Sequence, residues 1–448
     1  MSDLFGTDGV RGVANTELTC DIAYKLGQAA VAYLGNTIVI GKDTRISGDM
    51  LESALAAGIM SMGGTALLAG IIPTPAIALL TRELHADGGV VISASHNPPE
   101  YNGIKFFDNQ GFKLNDDTES LLEEYVLQGG ASLDALCPGD MVGVILPVDN
   151  AADMYVDFVV ESISSQGIDF SGMSIALDVG HGASAYTSAE ALTRLGAQVT
   201  VINDDFTGTD INVECGSTHL EPLKDLVKSI GADVGIAHDG DADRVMLVNP
   251  EGDEIDGDII EAVCALDLRE RGKLNGNTVV STVMCNFGFV SAMREAGIEV
   301  LQTKVGDRYV LEAMQEQDLV IGGEQSGHVI LLEHNSTGDG LLVAAHFLAA
   351  CIRSGNGIAL ASEVMVRYPQ SLINVANVDK EAVDQNEAVA ARIASAESEL
   401  GDGGRVLVRP SGTEPLVRVM VEALDEGLAK RLAEEIAEVI KAQLSLPA

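Results

Sequence analysis

The chain reads as an α/β protein, three related α/β domains followed by a smaller α+β domain. Three observations predict this. A strand–loop–helix–strand pattern recurs three times, the last eighty or so residues switch to two strands around a turn and one long helix, and 448 residues exceed one ordinary core, so that about three to four domains are expected.

The first repeat opens with Thr37-Ile38-Val39-Ile40-Gly41, runs through a polar loop into a helical stretch ending at Met62, and returns as a strand over 65–69. The second begins at Ser174-Ile175-Ala176-Leu177-Asp178, with a helix near 183–195 and a strand over 198–202. The third begins at Thr278-Val279-Val280-Ser281, with a helix near 287–296 and a strand over 299–302. Short, almost wholly apolar strands suit a sheet covered on both faces. The charge-free stretch from Ser53 to Thr81 is divided by Gly63-Gly64 and Pro73-Thr74-Pro75 into helix, strand and turn, so it reads as buried core and not as a membrane span. Near the C-terminus, Val406-Leu407-Val408 and 417–421 flank a turn as strands. An amphipathic helix then runs from Asp425 to about Leu444, with Leu428, Leu432, Ile436, Val439 and Ile440 on one face. Polar or proline-containing breaks place the domains at 1–150, 151–255, 256–367 and 368–448.

Composition narrows the function. Sixty-seven acidic residues oppose 27 basic ones, a net charge of −40, which argues against nucleic acid as a partner. The same charge disfavours anionic ligands at long range, but salt screens it beyond roughly 8 Å, so a local cationic cleft still captures them. Arg11, Lys105, Arg244, Lys304, Arg308, Arg409 and Arg418 are expected to line such a cleft. Asp3 and Asp8 sit where a secretory leader would need basic and apolar runs, so the cytosol is expected, with no membrane partner. The six cysteines are scattered, without a Cys-x-x-Cys pair, and read as small core residues in a reducing compartment.

Three clusters carry chemistry. Ser93-Ala94-Ser95-His96-Asn97-Pro98 follows the apolar strand Gly89-Val90-Val91-Ile92, and the crevice at the C-terminal ends of strands is the usual ligand site of open α/β sheets. Taken alone it is also an ordinary turn. The second is Asp239-Gly240-Asp241-Ala242-Asp243-Arg244. Three carboxylates at alternate positions of an extended segment point the same way and repel unless a cation sits among them; hard oxygen ligands favour magnesium or calcium over zinc or copper, with magnesium preferred, and the rival is a solvated acidic turn. An EF-hand is excluded: Arg244 stands where its glycine would be, Pro250 where its glutamate would be, and strand-like segments flank the loop. The third is Arg409-Pro410-Ser411-Gly412-Thr413-Glu414-Pro415 with Arg418, where small residues, hydroxyls and guanidinium groups suit a phosphate. No Gly-Lys-Ser/Thr ending is present, so a nucleoside triphosphate is not indicated. A hydroxyl, a metal site and a phosphate grip together point to phosphoryl transfer on a small phosphorylated molecule.

With Phe5-Gly6-Thr7-Asp8-Gly9-Val10-Arg11-Gly12, Gly41-Lys42-Asp43-Thr44-Arg45-Ile46-Ser47-Gly48, Asn102-Gly103-Ile104-Lys105, 304–310 and 322–328, these clusters make the chain closely resemble the α-D-phosphohexomutase superfamily, in its glucosamine branch. The resemblance runs the whole length. It implies mixed sheets in three α/β domains and a fourth α+β domain around one central cleft. It implies reversible interconversion of glucosamine 6-phosphate and glucosamine 1-phosphate through a phosphoserine and glucosamine 1,6-bisphosphate, feeding UDP-N-acetylglucosamine and cell-wall precursors. By the same resemblance Ser95 carries the phosphoryl group, with Ser93 the weaker candidate. One Mg2+ is held by Asp239, Asp241, Asp243 and a phosphoserine oxygen of Ser95. Lys105 acts as general acid/base with a pKa lowered by burial and nearby cations, with His96 and His328 as other proton carriers, and Arg11 and Arg244 stabilise the phosphoryl group. Glu324 and Ser326 take the sugar hydroxyls beside Lys304, Arg308 and His328, and Arg409, Ser411, Gly412, Thr413 and Arg418 hold the other phosphate. The rival readings are a phosphomannose or phosphoglucose mutase, a phosphatase and a non-catalytic sugar-phosphate sensor. The assembly is open between a monomer and a homodimer.

Overall fold

The computed structural model describes residues 4–6, 8–411 and 416–446. Its chain forms two compact units, Met1–Met284 with Gly297–Val364 and Cys285–Ala296 with Met365–Ala448.

The first unit holds three mixed sheets. In the seven-stranded sheet, Thr37–Lys42 lies between Thr65–Ile71 and Gly88–Ile92, parallel to both, and Gly88–Ile92 pairs antiparallel with Tyr101–Phe107. The charge-free segment supplies the core here. Helix Gly48–Ser61 packs against helix Cys20–Tyr33 so tightly that a Cβ on Gly27 would meet Leu55 O at 2.2 Å and one on Gly58 would meet Tyr24 O at 2.0 Å. Only glycine allows that approach. Leu26, Ile38, Ile40, Leu55 and Ile59 are fully buried beside them. In the second repeat, Ser174–Asp178 lies between Val234–His238 and Gln198–Ile202. The helix expected near 183–195 is a 3-10 turn, Ala183–Tyr186, followed by the shorter helix Ser188–Arg194. In the third, Thr278–Thr282 is parallel to Glu299–Thr303 and Ile321–Gly323.

The second unit is an antiparallel sheet, with Leu416–Ala423 between Gln370–Ala376 and Gly404–Pro410. Helix Glu426–Leu444 is capped by Asp425, whose carboxylate accepts from Leu428 N at 2.6 Å, and it buries Leu432, Ile436 and Ile440 against the valines of the sheet. This unit also takes in Cys285–Ala296: the Asn286 amide donates to Tyr368 O at 3.0 Å and Glu422 Oε1 at 3.1 Å. The cysteines are all free thiols; four are buried, while Cys20 and Cys137 are half-buried and so are not the core residues expected. Among the described residues no helix is long and apolar enough to cross a membrane.

Candidate active site

Three loops leave the C-terminal ends of strands in the first unit: Ser93–Pro98 after Gly88–Ile92, Asp239–Arg244 after Val234–His238, and Glu324–His328 after Ile321–Gly323. They meet. The Ser95 hydroxyl donates to Asp239 Oδ2 at 2.6 Å and lies 3.4 Å from His96 Nδ1. Val245 N donates to Gly327 O at 3.1 Å, joining the second loop to the third.

Ser95 and Ser93, which the sequence leaves as alternatives, have different surroundings. Ser93 Oγ donates to Asp43 Oδ2 at 2.6 Å and accepts from Ser95 N at 2.9 Å, so its hydroxyl is spent inside the turn. Ser95 stands at φ 51, a left-handed conformation that costs a non-glycine residue energy and concentrates at functional sites.

The aspartate loop is a correction to the extended geometry expected. It is a turn between two strands, with Ala242 at φ 53, and it is this curl that gathers the three carboxylates. Ligand oxygens of the buried Asp239, Asp241 and Asp243 lie within 4.8 Å of one another. Burial first, and then Asp243 and Asp241, push the Asp239 carboxyl well above the usual carboxylate range. Asp241 Oδ1 and Asp243 Oδ1 are buried and meet no hydrogen-bond donor. Hard oxygens with open lone pairs, held together against their own repulsion, fit a divalent cation. The group could bind a metal.

Lys105 is fully buried, with Nζ 2.9 Å from Asp241 Oδ2, 3.0 Å from Asp8 Oδ2 and 3.5 Å from Asp243 Oδ2. Burial works to lower its pKa, but Asp241, Asp8 and Asp243 outweigh that, so among the protein's own groups it stands raised. The depression expected from the sequence is therefore reversed in sign. Asp8 is the hub of the surrounding charges: it pairs with Arg11, with Lys105 and, at 2.6 Å, with Lys113, which also pairs with Asp307. Burial alone would raise Asp8, yet Lys105, Lys113 and Arg11 hold it well below the usual range. His328 is buried, accepting from Gly338 N at Nε2 (3.2 Å), with Nδ1 3.7 Å from Asp243 Oδ2. His96 is lowered to about 4, by burial and then by Arg244 and Arg11, so its ring is neutral at pH 7.

The other expected residues divide. Arg244 is half-buried beside Asp243, with Nε 3.9 Å from Oδ1. Glu324 Oε1 accepts from Gly306 N at 3.2 Å, and Ser326 is exposed on the same loop. Lys304 is exposed, its Nζ 5.8 Å from the Tyr309 ring centre. Arg308 pairs with Asp116 and Glu119 and donates to Leu114 O. In the second unit, Arg409 and Arg418 are cross-strand partners, both half-buried; burial and then Arg418 lower the Arg409 pKa. Like charges set opposite each other on a sheet are unfavourable and favour an anion between them. Ser411 is buried beside them, and Gly412 and Thr413 lie outside the described residues.

Four segments of the chain match models of one family: phosphoglucomutase/phosphomannomutase alpha/beta/alpha domain I over residues 2–131, domain II over 153–252, domain III over 256–368 and the C-terminal domain over 372–439. A phosphoglucosamine mutase from Carboxydothermus hydrogenoformans is 49% identical over 98% of this chain and 100% of its own length. The chain belongs to the phosphoglucosamine mutase family of α-D-phosphohexomutases. Another phosphoglucosamine mutase, from Acetivibrio thermocellus, is 47% identical over 99% of this chain and 100% of its own. The phosphohexomutase fold is shared with a phosphoglucomutase/phosphomannomutase family protein from Burkholderia thailandensis, at TM-score 0.81, 23% identity and full coverage of both chains. An N-acetylphosphoglucosamine mutase from Aspergillus fumigatus, solved with GlcNAc-6P and magnesium, has the same fold at TM-score 0.68 and 17% identity, covering 98% of this chain and 95% of its own.

Several groups around this phosphohexomutase site escape a reading of the sequence. Asp8, Asp43, Arg45 and Asp307 lie inside motifs that signal the family, but nothing there assigns them a partner. Lys113, Asn212 and Thr74, whose hydroxyl donates to Asp241 Oδ2 at 2.7 Å, carry no sequence signal at all.

Proposed function

We propose that this enzyme interconverts glucosamine 6-phosphate and glucosamine 1-phosphate by way of phospho-Ser95. The observation that carries the chemistry is the Ser95 hydroxyl 2.6 Å from Asp239, on a buried cluster of three aspartates. The substrate follows from the full-length relatives named phosphoglucosamine mutase.

In the forward direction the bond between phosphorus and Ser95 Oγ breaks as the C1 hydroxyl of glucosamine 6-phosphate attacks, giving glucosamine 1,6-bisphosphate. The hydroxyl proton passes to a basic group, for which Lys105 and the neutral His96 are the candidates. The bisphosphate turns over, its 6-phosphate returns to Ser95 Oγ, and the proton goes back to the freed C6 oxygen. Asp239, Asp241 and Asp243 would hold Mg2+, which when bound neutralises charge on the transferring group and takes up the anionic field that keeps Lys105 an ammonium. Arg11 and Arg244 add cations at the phosphoryl group, and Glu324 and Ser326 take ring hydroxyls in either orientation. Arg409 and Arg418, cross-strand partners in the second unit, are suited together with Ser411 to grip a phosphate. Keeping the bisphosphate from escaping matters, since its loss leaves the serine unphosphorylated. A cytoplasmic location belongs to the same reading.

Intact mass before and after incubation with glucosamine 1,6-bisphosphate tests it. A gain of one phosphate at Ser95 is expected, and turnover on glucosamine 6-phosphate should exceed that on the mannose and glucose 6-phosphates. No phosphate at Ser95, or preference for another hexose, overturns it.

A further inference from the structure

The Ser95 peptide is held from two directions by groups with no part in the chemistry above. Arg45, almost wholly buried, donates through Nη2 to Ser95 O at 2.9 Å and to Asn97 O at 2.8 Å, and through Nε to Asp43 Oδ2 at 2.9 Å. Asn212 comes from the loop after strand Gln198–Ile202, 117 residues further along. Its Nδ2 donates to the same two carbonyls, at 2.9 Å and 3.2 Å. Only the NH2 end of the amide can face two carbonyl oxygens, so the orientation of Asn212 is decided by chemistry. Its own backbone stands at φ 60, a conformation asparagine tolerates better than most residues. Asn212 N in turn donates to Gly180 O at 3.0 Å, and a Cβ on Gly240 would lie 2.8 Å from Ser95 O and 2.9 Å from Asn212 Nδ2. The serine peptide, the Asn212 amide and the aspartate loop are thus stacked without slack.

We infer that Asn212 is a positioning residue for phosphoryl transfer: together with Arg45 it locks the strained Ser95 peptide against the aspartate loop, so that Oγ meets the transferring group in line. Left-handed backbone at a non-glycine residue persists only where its surroundings over-determine it, and four donor–acceptor contacts on two carbonyls do so here. Misplacing a reacting atom by about 1 Å costs on the order of a hundredfold in rate. Arg45 and Ser95 follow strands of the seven-stranded sheet, but Asn212 follows a strand of the next sheet, so the nucleophile is set only while the two sheets' loops stay docked. This rests on Ser95 being the phosphate carrier.

The test uses the full chain, with two variants at Asn212. Asn212→Gly removes the amide without adding backbone strain at φ 60, and Asn212→Asp keeps size and shape but loses the donor. Three quantities are read: the rate of Ser95 phosphorylation by glucosamine 1,6-bisphosphate, from quenched intact mass, and kcat and KM for glucosamine 6-phosphate. In both variants the phosphorylation rate and kcat should fall together, roughly 10- to 100-fold, with KM within about twofold of the parent. An unchanged kcat, a rise in KM alone, full activity in Asn212→Asp, or a loss of folding in both variants by thermal melt would each overturn the positioning role. A parent enzyme that never takes phosphate on Ser95 refutes the underlying reading instead, which keeps the two failures apart.

Discussion

Ser95 Oγ and Asp239 Oδ2 lie 2.6 Å apart across 144 residues of sequence, both on turns that follow buried strands. The hydroxyl therefore opens directly onto the carboxylate cluster. Ser93, two residues earlier, donates to Asp43 instead.

That contrast separates the two serines. Ser95→Ala should abolish turnover and phosphate uptake while leaving the fold intact. Ser93→Ala should still take up phosphate, but it leaves the buried Asp43 carboxylate short of a donor and should lose about 1–3 kcal/mol of stability. Intact mass and denaturant melts of both variants check this, and phosphate uptake by Ser95→Ala would transfer the role elsewhere.

Lys105 contacts three carboxylates with its single ammonium. Lys105→Met is expected to lower kcat at least about 100-fold, within the range for general acid–base groups. If the maximal rate survives and only KM rises, the lysine grips an anion and moves no proton.

Lys105 and Arg244 offset only part of the repulsion among the three buried aspartates, so a bound divalent ion should stabilise the fold. At about 100 times its Kd a ligand adds about 2.7 kcal/mol. Magnesium should raise Tm and support turnover, a chelator should reverse both, and Asp241→Asn should blunt the shift. Scanning calorimetry with and without chelator decides it, and a metal-independent rate rules the site out.

The thiols give a prediction away from the site. Burial, followed by Asp178 and Asp210, pushes Cys215 up to about 12, and burial with Asp267 does the same for Cys351. Burial also holds the Cys264 thiol well above its usual value, and Cys285 is buried. At pH 8 the native chain should be alkylated at Cys20 and Cys137 only, and at the remaining four after unfolding. Peptide mapping after iodoacetamide treatment reads this, and rapid native labelling of Cys215 would contradict it.

Glu261 is fully buried, and burial, then Asp258, raises its carboxyl well above the usual value. The folded state then keeps a proton that the unfolded chain loses above about 4.3, so stability falls as pH rises from there towards the raised value. Glu261→Gln should match the parent near pH 4 and be the more stable of the two at neutral pH. Melting both proteins across that range checks the sign; a neutral-pH loss on substitution would reverse it.

The sequence by itself determined the three repeats, the capped C-terminal helix, and the positions of the serine and aspartate loops. Those signals are local: apolar periodicity, turn residues and side-chain types at fixed spacing act within a few residues of each other. Only the tertiary structure decided which serine opens onto the carboxylates, that the aspartate loop curls, and that Lys105 is pushed towards its charged form. It also decided that Arg308 pairs with Asp116 and Glu119, and it brought Thr74, Lys113 and Asn212 into the site. Each of these depends on a hydrogen bond, an ion pair or a turn whose outcome is set by burial and by partners distant in sequence. A side chain's neighbours, and with them its protonation, are properties of the packed fold and not of the residue alone.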